Sequence, residues 1–371
     1  MKIDAARIDV ARLALVTALL LALHSGEPTA AHVLFLVVVG AVLAAATRWP
    51  VGLATIGVLL LGAIVIRIAI SDRTGSDVLD VTRAAIDRVL AGLNPYGYAY
   101  KASTPPGAPF PYGPLAILVY LPFHDAAWVL ELVSAGVVLG ILAFYGRLMG
   151  LAVYAVAPIV VAISVDGSND TTLGLMILLA FMPAKRWPAV AAFVLALATG
   201  FKLSALAFVP GFLAWAGLRV ALVFAAGTVI AWSPVIGNWG IASYLDSVDK
   251  ANVIHVNRTT WSLGVLVKWL TGARQPIMDT LKYAFGAAIA IGGLRFRRSL
   301  DGVILVGVVV YLVTLYGGNW GSYAYFGGIA PVVCWRLDDW LGFASVPMAD
   351  RLRALRDQRA ARNVSSVGPL V

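Results

Sequence analysis

The chain has 371 residues, of which 60% are hydrophobic and only 13% charged, against about 25% charged in ordinary globular chains. A soluble fold of this length has no interior large enough to hide so much apolar surface, so lipid is part of its solvent. The net charge of +9 does not point to nucleic acid, because most basic residues stand at the ends of apolar runs rather than along a soluble stretch.

Apolar runs of span length, about 20 residues or fewer where neighbouring protein covers them, fall near residues 9–25, 31–47, 51–71, 126–146, 151–165, 170–184, 187–200, 203–217, 219–236, 279–294, 302–317 and 323–341. The first follows a basic start and is read as a retained span, since no small-residue cleavage pattern stands out behind it. With the N-terminus in the cytoplasm, Lys2, Arg7, Arg48, Arg147, Lys185, Arg186, Arg219, Arg295, Arg297 and Arg298 all fall on the cytoplasmic side. After an even number of spans so does the tail, with Arg351, Arg353, Arg356, Arg359 and Arg362. Twelve spans therefore satisfy the positive-inside rule. The expected architecture is an all-α, multi-pass transmembrane bundle in the cell membrane, a single domain over residues 1–341 with a basic cytoplasmic tail over 342–371. The single cysteine, Cys334, lies in an apolar run and has no partner for an intramolecular disulfide.

The same bookkeeping puts two long connections, 72–125 and 237–278, on the outer face, where a helical membrane protein has room to build a site. In the first, SDVLDVTRAAIDRVLAGLNPYG sets Val78, Val81, Ala85 and Val89 on one helical face, with Asp80, Arg83 and Asp87 elsewhere and Arg83 four residues before Asp87. This predicts an interfacial helix lying along the membrane, stopped by Gly92 and Pro95. The proline-rich STPPGAPFPYGPLAILVYLPF then leads into about ten apolar residues, too short to span and read as a re-entrant segment.

Polar residues of interest gather on this face. Asp77, at the start of the interfacial helix, fits either a helix cap or a general base that takes a proton from a sugar hydroxyl, with Asp72 and Asp80 as neighbouring substitutes. Tyr112, at the mouth of the re-entrant run, fits a sugar site or a headgroup anchor. Asp166, Asn169 and Asp170 cluster in SVDGSNDTTLGL and suit hydroxyl-rich ligands or helix termination. Lys202 sits at the tip of an outward hairpin between two apolar helices, where the positive-inside rule does not put a cation. It reaches anionic headgroups or holds a phosphate. Arg258, whose paired donors match phosphate geometry, and His255 lie in the second outer connection. No Walker motif and no cluster of histidine and cysteine with zinc spacing is present. Glu131 is an evident acid inside a span.

In chain order, SDVLDV with GLNPYG, PFPYGPLAILVYLPF, DGSNDTTLGL, FKLSALAFVPGFL, NRTTWSLGVLVKWL and GGNWGSYAYFGGIAPVV resemble the polyprenyl-phosphate-sugar-dependent glycosyltransferases of the GT-C superfamily, most of all glycosyltransferase family 87. The resemblance runs from about residue 76 to 335. It implies a GT-C-like bundle and an inverting transfer of a sugar, mannose before arabinose, from a polyprenyl-phosphate donor to a glycolipid or glycan acceptor. The family's base matches Asp77, and its lysine facing the donor phosphate matches Lys202. Two spans precede the one leading to the acidic loop, and Asp-Gly-Ser-Asn stands where the family has a Gly-Gln-type pattern. No cofactor is implied, although Asp77, Asp80 and Asp170 converging on a divalent cation stays open. The rival class is a transporter or flippase, which would place polar groups near the bilayer midplane.

Overall fold

The computed structural model describes residues 51–71, 76–254, 270–272, 275–317, 322–343, 345–354 and 356–357. The spans expected at 9–25 and 31–47, Asp72, and the segment with His255 and Arg258 lie outside them. The described residues are helical, with no strand among them. In chain order the helices are α1 (Val51–Ala69), α2 (Val78–Leu90), α3 (Pro114–Tyr120), α4 (Ala127–Phe144), α5 (Leu148–Val156), α6 (Pro158–Ile163) and α7 (Asp170–Phe181). They continue with α8 (Pro188–Phe201), α9 (Val209–Ala216), α10 (Leu218–Pro234), α11 (Ile241–Ile254), α12 (Gln275–Gly293), α13 (Leu300–Tyr316) and α14 (Tyr325–Trp340).

Among the described residues two stretches are long and apolar enough to cross a membrane, Pro114–Phe144 with 31 residues and Leu218–Trp239 with 22. In the first, the run at 114–123, expected as a re-entrant segment, passes through a 3-10 stretch, Leu121–Ala126, directly into α4. The chain bends there at Phe123 (φ −113°, ψ 22°), where Pro122 leaves its own backbone without a donor. The run expected at 151–165 is divided between α5 and α6 for a related reason. Ala157, which precedes Pro158, is extended at ψ 116°, as a residue before proline prefers.

Packing divides the chain into two compact units. One comprises the described residues of Met1–Ile70, Gly136–Ala162 and Val333–Val371. In it α1 packs on α5, and α5 is charged at both ends to suit its dipole. At its N-terminus Asp338 accepts from the Met149 and Gly150 N–H groups at 3.1 and 2.9 Å. At its C-terminus the buried Arg67 donates to the Tyr154 and Ala155 carbonyls at 2.8 and 3.3 Å. Arg147 pairs with Asp339 at 2.5 Å and lies over the Trp335 ring.

The other unit comprises the described residues of Ser71–Ala135 and Ile163–Val332. Helix α8 is its centre, packed on α10, α7 and α3. Small residues let α8 and α10 approach closely: a Cβ on Gly200 would stand 2.6 Å from that of Ala231, and one on Gly227 2.9 Å from that of Ala196. Helix α13 packs on α12, on α9 and on the 3-10 stretch Leu203–Phe208.

Helix α2 buries Leu79, Val81, Thr82, Ala85 and Ile86, a face rotated from the expected one, so that Val78 and Val89 are only half-buried. It ends as expected at Gly92. The left-handed φ of +72° there lets the Leu93 and Gly92 N–H groups return to the Arg88 and Val89 carbonyls at 2.8 and 2.9 Å, a Schellman closure. Arg83 and Asp87 do not pair with each other. Arg83 reaches Asp125 at 3.3 Å, and Asp87 meets His124 at 2.7 Å, because α2 lies against the 3-10 stretch that carries both partners.

A Cβ on Gly150 would stand 1.9 Å from the Cys334 carbonyl oxygen, a backbone atom that cannot rotate away. Gly150→Ala is therefore expected to destabilise the protein by roughly 1–3 kcal/mol through overpacking, read as a lower melting temperature in detergent. An unchanged melting temperature would refute this contact.

Candidate functional site at the end of helix α8

Helix α8 stops at Phe201, and Lys202 turns into extended backbone (φ −149°, ψ 126°). That turn swings its side chain off the helix toward the start of α7. The ammonium donates to Asp170 Oδ1 at 2.7 Å and Asn169 Oδ1 at 3.0 Å. Both side chains of the ion pair are deeply buried, 11% exposed for Lys202 and 2% for Asp170. Of the anionic partners open to Lys202, a protein acid is present: Asp170. Two aromatic faces complete the surround, with Nζ 5.2 Å from the Tyr112 ring centre and 5.6 Å from that of Tyr325.

Asp170 is itself fixed through the first turn of α7. Glu131, buried on α4, accepts from the Thr171 and Thr172 N–H groups at 3.1 and 3.2 Å. It also accepts from the Tyr120 and Thr172 hydroxyls. A carboxylate at a helix N-terminus satisfies donors that have no partner within the helix, so Glu131 sets the register of α7 and with it the position of Asp170.

Tyr112 is placed from two sides. The Gly113 N–H donates to the Phe201 carbonyl at 3.1 Å, which ties this segment to the end of α8. The Tyr112 carbonyl accepts from the Tyr96 hydroxyl at 3.0 Å. Tyr96 comes from the GLNPYG turn and packs edge-on against Trp239 and Tyr244. In the same turn the Asn94 amide donates to the Trp239 carbonyl at 2.7 Å, and the Gly97 N–H donates to Ser247 Oγ at 2.7 Å. The motif that sequence reading treated as a helix stop therefore also anchors Tyr112 against α11, a helix of the second long connection that sequence reading had not anticipated. Burial pushes the Tyr112 phenol well above its ordinary value, and the charge of Asp170, the Tyr325 phenol and the charge of Asp77 raise it further.

Asp77 precedes α2, half-exposed. It makes no side-chain cap to that helix; instead its Oδ2 accepts from the Thr104 N–H, so the capping role is not realised. Its neighbour Ser76 donates its N–H to the Asp166 carbonyl at 2.7 Å, and Leu79 donates to Gly167 at 3.0 Å. Gly167 has φ +85°, and a Cβ there would meet the Ser76 carbonyl at 2.7 Å, so only glycine fits this crossing. The loop before α7 and the start of α2 are thereby stapled together. Of the sequence-read residues, Asp170, Asn169, Lys202 and Tyr112 form one cluster, Asp77 stands beside the loop that leads into it, and Asp80 is exposed on α2. Among the described residues no three His, Cys, Asp or Glu side chains are grouped to hold a metal ion.

Tyr325 was missed by sequence reading, and Asp166 was noted only as part of a cluster. The one available signal for Tyr325 was its place in the aromatic run GGNWGSYAYFGG. No protein-family model matches the chain, and no curated protein or solved structure gives a significant match to it.

Burial pushes the Asp166 carboxyl up to about 6 from its ordinary 3.8, with bonds from Ser168 opposing the shift. An acid whose folded value is raised binds more protons folded than unfolded between those two values. Stability therefore falls as pH rises from about 4 to about 6, by a few kcal/mol. The melting temperature of the wild type should drop over that window more steeply than that of Asp166→Asn, which has no such proton to lose. Parallel profiles would contradict the shift.

Proposed function

We propose that this chain is an inverting, GT-C-like glycosyltransferase of about twelve spans with both termini in the cytoplasm. It moves a sugar, mannose favoured, from a polyprenyl-phosphate donor to a hydroxyl of a glycolipid or glycan on the outer face of the cell membrane. The observation that carries the reading is the joining of Lys202, Asp170, Asn169 and Tyr112 at one helix end, beside a loop bonded to the residue next to Asp77. The motif order of family 87 and the apolar helices found where spans are expected support it further. Nucleotide sugars are not available on that face, so the donor arrives already joined to a lipid.

In this reading the Asp77 carboxylate takes the proton of the acceptor hydroxyl as its oxygen attacks the anomeric carbon. The bond from that carbon to the phosphate oxygen breaks on the opposite face, and polyprenyl phosphate leaves as the anion. An ammonium has three donors, and Asp170 and Asn169 use two; the third goes to the phosphate. Because Asp170 already balances the charge of Lys202, the remaining positive charge comes from Arg258, with His255 as a further donor. The half-exposed Asp77 remains open to an acceptor.

A transporter for a lipid-linked or small solute is the second reading, favoured by the buried Glu131 on the long apolar stretch and by a buried acid–base pair among apolar helices. Its weakness is that Glu131 already has four donors.

With polyprenyl-phosphate mannose and a glycolipid acceptor, purified Asp77→Asn should fold and lose about a hundredfold to ten-thousandfold in rate. Lys202→Ala should lose saturable donor binding. Transfer at the wild-type rate by Asp77→Asn would remove it as the base. Uptake of the donor into liposomes with no glycosylated product would favour the transporter.

A further inference from the structure

Two side-chain groups in the loop before α7 are left over by the mechanism above. Asn169 is completely buried. Its Oδ1 faces Lys202, and its Nδ2 has no hydrogen-bond partner. The contact with Lys202 fixes which way the amide faces, because the flipped amide would set two donors against each other, so the unused atom is a donor. Asp166, 4% exposed, accepts from the Ser168 N–H at 2.8 Å through Oδ1. Its Oδ2 has no partner in hydrogen-bond geometry, although the Tyr323 hydroxyl is close enough to interact with the carboxylate. The loop thus holds one unused buried donor and, three residues away, a buried acceptor with no well-aligned partner and with lone pairs to spare beside the Tyr323 hydroxyl. Each costs about 1–3 kcal/mol while unpaired, and native interiors keep few such groups without a use for them.

Their placement says what would use them. Asn169 touches the residue proposed to hold the donor phosphate, and the Asp166 backbone carries the hydrogen bond from Ser76, next to the proposed base. During transfer the sugar ring lies between its phosphate and the attacking hydroxyl, and therefore between what Lys202 and Asp77 hold. A sugar presents hydroxyls that donate and accept at adjacent carbons, the complement of a carboxylate oxygen and an amide N–H.

We infer that Asp166 and Asn169 form a hydroxyl-recognition subsite for the sugar of the lipid-linked donor, the carboxylate accepting from one ring hydroxyl and the amide donating to another. This rests on the donor reading above and extends it from the phosphate to the sugar. A bare polyprenyl phosphate has no sugar hydroxyl to donate to Asp166, so this carboxylate makes the protein distinguish the charged donor from the spent carrier.

The test is binding of polyprenyl-phosphate mannose and of bare polyprenyl phosphate to the whole chain in nanodiscs. Asp166→Asn exchanges the unused acceptor for a donor at constant shape. This change should weaken binding of the mannose lipid by about tenfold or more, the loss of one hydrogen bond involving a charged group, and leave the bare lipid unchanged. Unchanged affinity for the mannose lipid, or an equal loss for both lipids, overturns the subsite. Wild-type protein that binds both lipids equally overturns the subsite alone, whereas wild-type protein that binds neither overturns the donor reading together with it.

Discussion

A buried ammonium needs an anion, and the region around helix α8 is arranged to supply one. Lys202 emerges where α8 ends and reaches Asp170 in the first turn of α7. The helix dipoles favour both charges where they stand, a cation at a C-terminus and an anion at an N-terminus. The pair therefore ties two apolar helices together at the end where polar groups are tolerated. Removing one partner from such a pair strands the other charge in a dry environment, at a cost of about 3–5 kcal/mol. Glu131 adds to this constraint from α4 by taking up the backbone donors next to Asp170.

The pair also shapes the chemistry available. A lone buried lysine would present a full positive charge to a phosphate, whereas a lysine beside Asp170 presents a directed donor with its charge largely balanced. On the proposed reading this favours orientation of the donor lipid over strong retention of the departing anion, which suits a carrier that must leave after each turnover. The aromatic faces of Tyr112 and Tyr325 on Lys202 act in the same direction, since a cation over a ring keeps its place without a second full negative charge.

Much of the helical layout was legible because apolar runs broken by glycine, proline and paired basic residues leave little doubt about where helices lie. The runs at 170–184, 187–200, 219–236 and 302–317 correspond to α7, α8, α10 and α13 within a few residues. Breaks inside apolar runs were less legible. Pro122 and Pro158 act through local backbone geometry, which hydrophobicity does not report, so neither the continuity of α3 with α4 through the bend at Phe123 nor the break at Ala157 was legible. The site was legible in its members and not in its pairing. Thirty-two residues separate Asp170 from Lys202, and only the packing of α7 on α8 brings them together. Asp77 invited a capping role by its position, and the competing bond to Thr104 has no signature in the local sequence.

The central claim is that Lys202 and Asp170 are energetically one unit. A double-mutant cycle on the melting temperature of the purified protein, with Lys202→Met, Asp170→Asn and the two combined, tests it most directly. The account predicts that each single change destabilises strongly and that the double variant recovers a large part of the loss, with a coupling of about 0.5–3 kcal/mol. Strictly additive effects would contradict it and leave Lys202 free of Asp170.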